Sequence, residues 1–362
     1  MLNQNEQILV DMLKSYGYPN AGDNVRVKPY VMYDDVTIQT GVQQYNVFSN
    51  SNLSMFSRNR NFPISNNEIF WINEIQLCLD DSFPFTPEAL TRSYISISVD
   101  DRIKGKFPFA ECLTFSIQNQ QDNAATDLSR AFTTKINRKR LLQFPILINS
   151  SSNVVVKLEM SSNSATQMNN KNIRVYLKGI KFDKIEPFVY DPRKSNNIER
   201  LNFTFYDTLS FNTSGGSFDL FSTQNKNVFD FSKIFPLGDK EVFSIENIEL
   251  FFNSNSVNVG TSTNDYTILK QLRQSLLKII IDDIEFINFS NDDFVTLFLF
   301  NTSSTLSNMR YFSNKGYTLP TPISIPSQSR VKITLDIPAI TYLSNSDYFT
   351  VMLKGTLQRI VA

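Results

Sequence analysis

Five glutamates, Glu68, Glu74, Glu111, Glu159 and Glu249, are the side chains of this sequence best suited to acid–base chemistry. Paired carboxylates cleave glycosidic bonds when one donates a proton while the other serves as nucleophile or base. Spacing along the chain does not decide convergence, because only folding brings such residues together. Histidine is absent. That removes the side chain that titrates near neutral pH and the commonest metal ligand, and with it every His-dependent triad and His-ligated metal site. No Gly-x-Gly-x-x-Gly, phosphate loop or Gly-x-Ser-x-Gly occurs, so no phosphate cradle or nucleophile elbow is expected. The pairs Asp100-Asp101 and Asp282-Asp283 follow strand-like runs. They read as turns, whose Asp side chains bond their own backbone; the alternative, a calcium site, needs more oxygen ligands than one pair supplies. Lys135, Arg138, Lys139 and Arg140 form the dense basic patch. It suits either a phosphate-bearing partner or a solvated loop, and the solvated loop is the expectation. Trp71 lies between Phe70 and Ile72, where a core or interface place is favoured over stacking on a sugar. The expected sites are therefore catalytic: none; metal: none; cofactor: none.

Composition narrows the partners. Lys plus Arg and Asp plus Glu number 35 each, so no net field draws the chain toward nucleic acid or anionic lipid. Apolar runs such as residues 294–300 fall far short of a membrane-spanning helix. The first residues show no basic region followed by an apolar stretch, so no secretory signal is expected. Asn-x-Ser/Thr occurs at Asn52, Asn149, Asn202, Asn212, Asn288 and Asn301, and in so Asn- and Ser-rich a chain these read as compositional. Cys78 and Cys112 are too few for a disulfide framework, and Cys78 in an apolar strand reads as a buried thiol. A reducing compartment, cytosolic at synthesis, is the expectation.

The chain is written twice. Shifted by 173, residues 33–79 meet 206–252 without a gap and match at 14 of 47 positions. Tyr33-Asp34 meets Tyr206-Asp207, Phe62-Pro63 meets Phe235-Pro236, and Glu68 meets Glu241. At 182, Ile95, Ile97, Val99, Asp100 and Asp101 meet Leu277, Ile279, Ile281, Asp282 and Asp283. At 177, Val154, Val156 and Leu158 meet Val331, Ile333 and Leu335, and at 176 Lys178-Gly179 meets Lys354-Gly355. A repeat of about 175 residues is a whole domain, not a solenoid unit. Glu68, kept as Glu241, points to a role in the fold.

Within each copy the apolar period is two. Val154, Val156, Leu158 and Met160 alternate with Lys157 and Glu159, as Val331, Ile333, Leu335 and Ile337 do with Lys332, Thr334 and Asp336. Such runs are half-buried strands. Turn-rich stretches at Asn149–Asn153, Ser161–Asn172, Thr213–Ser217 and Asn253–Asn264 separate them, and 31 Phe and 14 Tyr suit pleated surfaces. The expected fold is all-β: two tandem eight-stranded antiparallel jelly-roll sandwiches with a short N-terminal helical arm. The expected division is an arm over 1–30, a first jelly roll over 31–188, a linker over 189–202 and a second jelly roll over 203–362. Lesser helices are expected at Asp127–Phe132 and Leu306–Tyr311. In the arm, Ile8, Leu9, Met12 and Leu13 form one apolar stripe of a helix over residues 3–16. That stripe packs on its own domain or on a neighbouring subunit.

Two tandem jelly rolls of this size, without a catalytic inventory, resemble the double jelly-roll major capsid proteins of tailless, lipid-containing bacteriophages and related icosahedral viruses. The resemblance covers residues 30–362 and lies in architecture, not in a short motif. It implies a non-enzymatic virion protein, made in the host cytoplasm, whose homotrimers form pseudo-hexagonal blocks that tile an icosahedral shell. It also implies neighbouring capsomers, penton or minor capsid proteins and an internal membrane as partners, without sequence-specific nucleic-acid binding. Ile8, Leu9, Met12 and Leu13 would then make an inner-face or inter-subunit contact. The alternatives are a tandem jelly-roll glycan-binding module and a peptide N-glycanase-like hydrolase.

Overall fold

The computed structural model describes residues 4–22, 24–49, 56–79, 90–120, 131–195, 197–210, 214–222, 232, 235–254, 274–290, 295–300, 309–312, 316–339 and 348–360. After helix α1 (Gln4–Ser15) the first copy runs through β1 (Arg26–Thr37), β2 (Gln44–Val47), β3 (Glu68–Leu79), β4 (Ser93–Val99) and β5 (Arg102–Pro108). A single turn, α2 (Phe109–Cys112), leads into β6 (Leu113–Gln120), β7 (Ala131–Asn137), β8 (Arg140–Ile148) and β9 (Val154–Met160). Helix α3 (Ser162–Gln167) precedes β10 (Asn172–Asp183). The second copy repeats the series as β11 (Ile198–Ser210), β12 (Gly216–Leu220), β13 (Glu241–Ser254), β14 (Leu276–Ile281) and β15 (Ile284–Ser290). It ends with β16 (Val295–Phe300), β17 (Met309–Phe312), β18 (Tyr317–Ile325), β19 (Val331–Ile337) and β20 (Tyr348–Ile360).

Strand order makes each copy a jelly roll. In the first, β1-β10-β3-β8 forms one sheet and β2-β9-β4-β5 the other; in the second, β11-β20-β13-β18 faces β12-β19-β14-β15. Counting eight strands per copy, both follow the order one-eight-three-six against two-seven-four-five, the two interlocked Greek keys of that fold. The period-two pattern closes the sandwich. Val156, Leu158 and Met160 point inward from β9 as Ile333, Leu335 and Ile337 do from β19, each into its own core.

Among the described residues, each copy adds one inserted hairpin to the expected eight strands. β6–β7 and β16–β17 extend the larger sheet, with β6 running parallel to the end of β3 and β16 parallel to the end of β13. The sheets are thus not wholly antiparallel. The helices expected at Asp127–Phe132 and Leu306–Tyr311 give way to strand wherever those residues are described, at 131–132 and 309–311; the remainder lies outside the described residues. Ladder bonds to β6 and β16 override the weak helical pattern there. Conversely, Ser161–Asn172 holds α3, whose first turn is capped by the Ser161 hydroxyl accepting from the Ser164 N–H at 3.1 Å. β11 begins at Ile198, inside the segment 189–202 expected as linker, and Pro192–Lys194 forms a 3-10 turn. Cys78 is only half-buried, whereas Cys112 is fully buried and burial pushes its thiol well up. Cys78 is less covered than expected because it alternates with the buried Leu77 and Leu79 and so lies on the outer face of β3.

The residues kept in both copies now have reasons. Asp34 is buried, accepts from the Phe48 N–H at 2.6 Å and pairs with Arg58 at 2.7 Å. Its counterpart Asp207 accepts from the Phe221 N–H at 2.6 Å, and Phe48 and Phe221 have φ of 61° and 58°. Each carboxylate therefore holds a phenylalanine in the left-handed region, which is unfavourable without such support. Asp100 and Asp101 have φ of 52° and 60°, Asp282 and Asp283 of 48° and 66°. Both pairs are the two central residues of tight hairpin turns, β4–β5 and β14–β15, of the kind that needs positive φ twice. Asp100 Oδ1 also accepts from the Asn153 N–H at 2.8 Å and Asp282 Oδ1 from the Arg330 N–H at 2.9 Å. These carboxylates therefore tie neighbouring loops together.

Candidate functional site

Helix α1 lies on the first jelly roll, and its apolar stripe divides in two. Val10 and Leu13 are buried and Leu9 partly so, against Ile69, Trp71 and Phe182. Ile8 and Met12 are 53% and 40% exposed. The split follows from helix geometry, since Ile8 and Met12 share one face while Leu9 and Leu13 lie about 100° around it. Trp71 is buried beneath the arm, edge-on to Tyr16 at 5.6 Å and tilted to Phe182 at 5.8 Å. The chain after the helix clasps the connector. The Asp191 N–H donates to the Gly17 carbonyl at 2.7 Å, Tyr16 bridges Ser195, and Lys184 donates to the Asn20 carbonyl at 2.6 Å. Truncating Leu13 to alanine is expected to cost about 2–5 kcal/mol. Ile8→Ala and Met12→Ala are expected to stay within about 0.5 kcal/mol of the parent. Urea denaturation of the three variants measures this contrast.

The candidate carboxylates are taken up by cations. Glu68 lies between Lys181 and Arg60. Burial would raise its carboxyl, but hydrogen bonds from Lys181 and Arg60 outweigh it and hold the group below the usual range. Glu74 meets Lys178 at 2.7 Å and Lys139 at 3.1 Å, with the same balance and the same direction. Glu159 accepts from Ser96 at 2.9 Å and faces Lys106 at 3.3 Å. A general acid at neutral pH needs the opposite shift. The repeated pair also has a structural task. Glu68 accepts from the Ser65 N–H at 3.4 Å and Glu241 from the Gly238 N–H at 3.1 Å, each closing the turn that enters its strand.

Glu111 and Glu249 do come together, at the joint between the jelly rolls. There β11 packs against β5 and β8. Tyr94 of β4 stacks on Tyr206 of β11, centroids 4.4 Å apart and planes 16° from parallel, both buried. Tyr206, Phe251 and Met352 belong to the first jelly roll's core, so its apolar interior runs into the second. Beside them Glu249 is fully buried between Arg138, 3.2 Å away, and Lys354, 2.5 Å away. Glu111 accepts from the Thr204 hydroxyl at 3.2 Å and faces Arg140 at 3.5 Å and Lys354 at 3.9 Å. Arg138 also donates to the Ala110 carbonyl at 2.8 Å.

Asn202 fastens the rim. Its Oδ1 accepts from the Gln143 N–H at 2.8 Å and its Nδ2 donates to the Phe144 carbonyl at 2.7 Å, so one side chain pairs with β8 as a strand would. Being buried and doubly bonded, Asn202 is engaged as a structural residue, not displayed as a glycan acceptor. At the far end Glu199 accepts from Lys104 and Arg359, and Arg359 donates to the Ile103 carbonyl at 3.3 Å. Burial would raise the Glu199 carboxyl; hydrogen bonds from Lys104 and Arg359 prevail and keep it below the usual range.

Three solved structures similar to this chain come from viruses. The STIV MCP is 9% identical with a TM-score of 0.37, the match covering 92% of this chain and 96% of that one. The PBCV-1 virus capsid is 8% identical with a TM-score of 0.36, covering 94% and 95%. The Faustovirus major capsid protein is 6% identical with a TM-score of 0.30, covering 93% and 85%. These structural neighbours are viral capsid proteins. No protein-family model matches the chain, and no curated protein matches it by sequence. The jelly-roll assignment rests on the strand order of each copy.

Two features of the joint escape a reading of the sequence. Arg138 and Arg140, expected on a solvated loop, are half-buried and serve the joint, while Lys139 bridges to Glu74. The partner of Arg138, Glu249, lies 111 residues away along the chain, beyond any local rule. The available signal was Glu249 itself, a lone charge among Ile248, Leu250 and Phe251, because a buried charge requires a partner. Among the described residues no cluster of three or more His, Cys, Asp or Glu is placed to hold a metal ion.

Proposed function

We propose that this chain is a structural virion protein: a major capsid protein whose homotrimers form pseudo-hexagonal blocks of an icosahedral shell. The observation that carries the reading is the joint. Two copies of one jelly roll are fused, and their shared core and buried ion pairs hold them as a single block. A binding module needs its loop ends displayed and an enzyme needs one cleft. A shell needs side walls at fixed angles, and a joint with a continuous core supplies them. Balanced charge lets many copies pack without long-range repulsion. Neighbouring capsomers, penton or minor capsid proteins and an internal membrane are the partners this reading implies. On the arm, the exposed pair Ile8 and Met12 presents the contact, with Leu9 and Leu13 holding the helix in place.

Light scattering with negative-stain microscopy of the purified chain tests this. Trimers or closed shells are the expected result. A strict monomer at high concentration overturns the reading.

A further inference from the structure

The turn that follows α1 and the connector between the jelly rolls, residues 184–197, hold each other. Asn20 acts as a strand would: its Nδ2 donates to the Pro187 carbonyl at 3.0 Å and its Oδ1 accepts from the Val189 N–H at 3.2 Å. Lys184, a buried lysine, spends its ammonium on the Asn20 carbonyl, and the Asp191 N–H donates to the Gly17 carbonyl. Tyr18 is buried edge-on to Phe188 at 6.3 Å and tilted to Tyr190 at 5.4 Å. Apart from bonds to Asn66 and Asn67, the connector's hydrogen bonds beyond itself, among the described residues, reach Tyr16, Gly17 or Asn20. Its own apolar side chains give it little hold, since Ile185, Val189 and Tyr190 are exposed.

Tyr16 stands where three parts of the chain meet. Its ring lies against Trp71 of the first jelly roll, and its backbone bridges Ser195 of the connector. Burial raises its hydroxyl, and the charge of Arg200 on β11 of the second jelly roll opposes that rise. The helix behind it has 12 residues, too few to persist alone in water. It is helical because Val10 and Leu13 are seated on Ile69, Trp71 and Phe182. Unseating and unwinding are therefore one event, and they take away the anchor of the turn. Water then reaches the Lys184 ammonium, which offsets part of the apolar loss.

We infer that the arm is a releasable strap on the connector: lifting α1 from Trp71 frees the connector, and loosening the connector frees α1. The strap goes beyond the capsid reading, because both of its halves lie in one chain. Coupling between two places is reciprocal. A partner that binds only the seated helix therefore tightens the connector, and one that binds only the lifted helix loosens it.

The two ends of the strap can be read separately. Trp71 is the one tryptophan of the chain, so emission wavelength and acrylamide quenching report whether the arm covers it. Arg193 and Lys194 lie exposed in the connector, so native-state trypsin cleavage after them, located by mass spectrometry, reports local opening. Full-length Val10→Asp, Asn20→Ala and Ile8→Ala are compared with the parent, with circular dichroism to establish folding. Asn20→Ala removes only the two side-chain bonds to the connector, and is expected to speed this cleavage about tenfold and to raise quenching of Trp71 with it. Val10→Asp is expected to shift Trp71 emission to longer wavelength and to speed the same cleavage at least as much. Ile8→Ala, on the outward face, is expected to change neither. Trp71 uncovered with connector cleavage at the parent's rate overturns the strap, as does faster cleavage with Trp71 still covered. Should Val10→Asp fail to fold, Asn20→Ala alone decides, and a parent-like result in both readouts overturns the inference. A parent chain that proves monomeric, fatal to the capsid reading, leaves this test as it stands.

Discussion

Gly355→Ala is expected to cost the second jelly roll about 3 kcal/mol or more, at the upper end of overpacking penalties, and to drive much of the chain into insoluble form. A Cβ built on Gly355 would lie 1.8 Å from the Ser244 carbonyl oxygen. The obstacle is backbone within the β13–β20 ladder, so no side chain can swing aside. The ladder is already displaced there: pairing slips between Ile245 and Asn247, leaving Glu246 as an extra residue opposite Gly355 and Lys354. The bulge draws the two strands too close for any side chain, which is the circumstance that calls for glycine. The same device recurs in the first copy. β3 slips between Ile72 and Glu74 against Lys178 and Gly179, and a Cβ on Gly179 would meet the Trp71 oxygen at 1.9 Å. Gly179→Ala should therefore do comparable harm to the first jelly roll. Urea unfolding of both variants measures the losses. A midpoint within experimental error of the parent would mean that the bulge relaxes and that glycine is dispensable there.

That bulge shows how far the sequence reaches. Lys178-Gly179 and Lys354-Gly355 stand out as a repeated pair before any coordinates exist, yet the pair alone does not reveal which strand lies against it. Period-two alternation places the strands because each has one face in a core and one toward water. It is silent on the inserted β6–β7 and β16–β17 hairpins, which add to a sheet edge and whose described pairings include short parallel contacts. Turn chemistry was legible at Asp100-Asp101 and Asp282-Asp283 because the side-chain type and backbone need are local. The arm was legible only in part. Ile8, Leu9, Met12 and Leu13 read as one stripe, whereas Leu9 and Leu13 turn inward and Ile8 and Met12 outward. Spacing identifies a helix, but its rotation about its own axis is set by what it packs on.

The charged residues were the least legible, for a reason that bears on the joint. A run such as Arg138-Lys139-Arg140 is solvated in most chains, and nothing adjacent says otherwise. Each of these cations is instead assigned a partner by the fold: Glu249, Glu74 and Glu111 in turn. Of the three pairs, Arg138–Glu249 spans the two jelly rolls and arises because the domains were fused, whereas Arg140–Glu111 lies within the first and borders the joint.

Glu249→Gln is the second change with a large expected effect, about 3–5 kcal/mol, the usual cost of removing one partner from a buried ion pair. Glutamine keeps the shape, so the loss isolates the charge from any cavity. Glu249 has no solvent exposure and is the carboxylate nearest both Arg138 and Lys354; Glu111 lies farther from Lys354, at 3.9 Å. With the charge gone, two half-buried cations from different jelly rolls face a neutral amide, and separating the domains becomes the way to rehydrate them. The signature should accordingly be in the coupling of the two jelly rolls more than in either core. The parent is expected to unfold in urea as one transition, and the variant in two. Replacing the set with apolar groups of like volume, as in Glu249→Leu with Lys354→Met and Arg138→Leu, should recover part of the loss, since buried ion pairs fix geometry more than they add stability. One coincident transition for Glu249→Gln, at the parent's midpoint, would show that the stacked Tyr94–Tyr206 pair and the shared apolar core suffice to hold the joint.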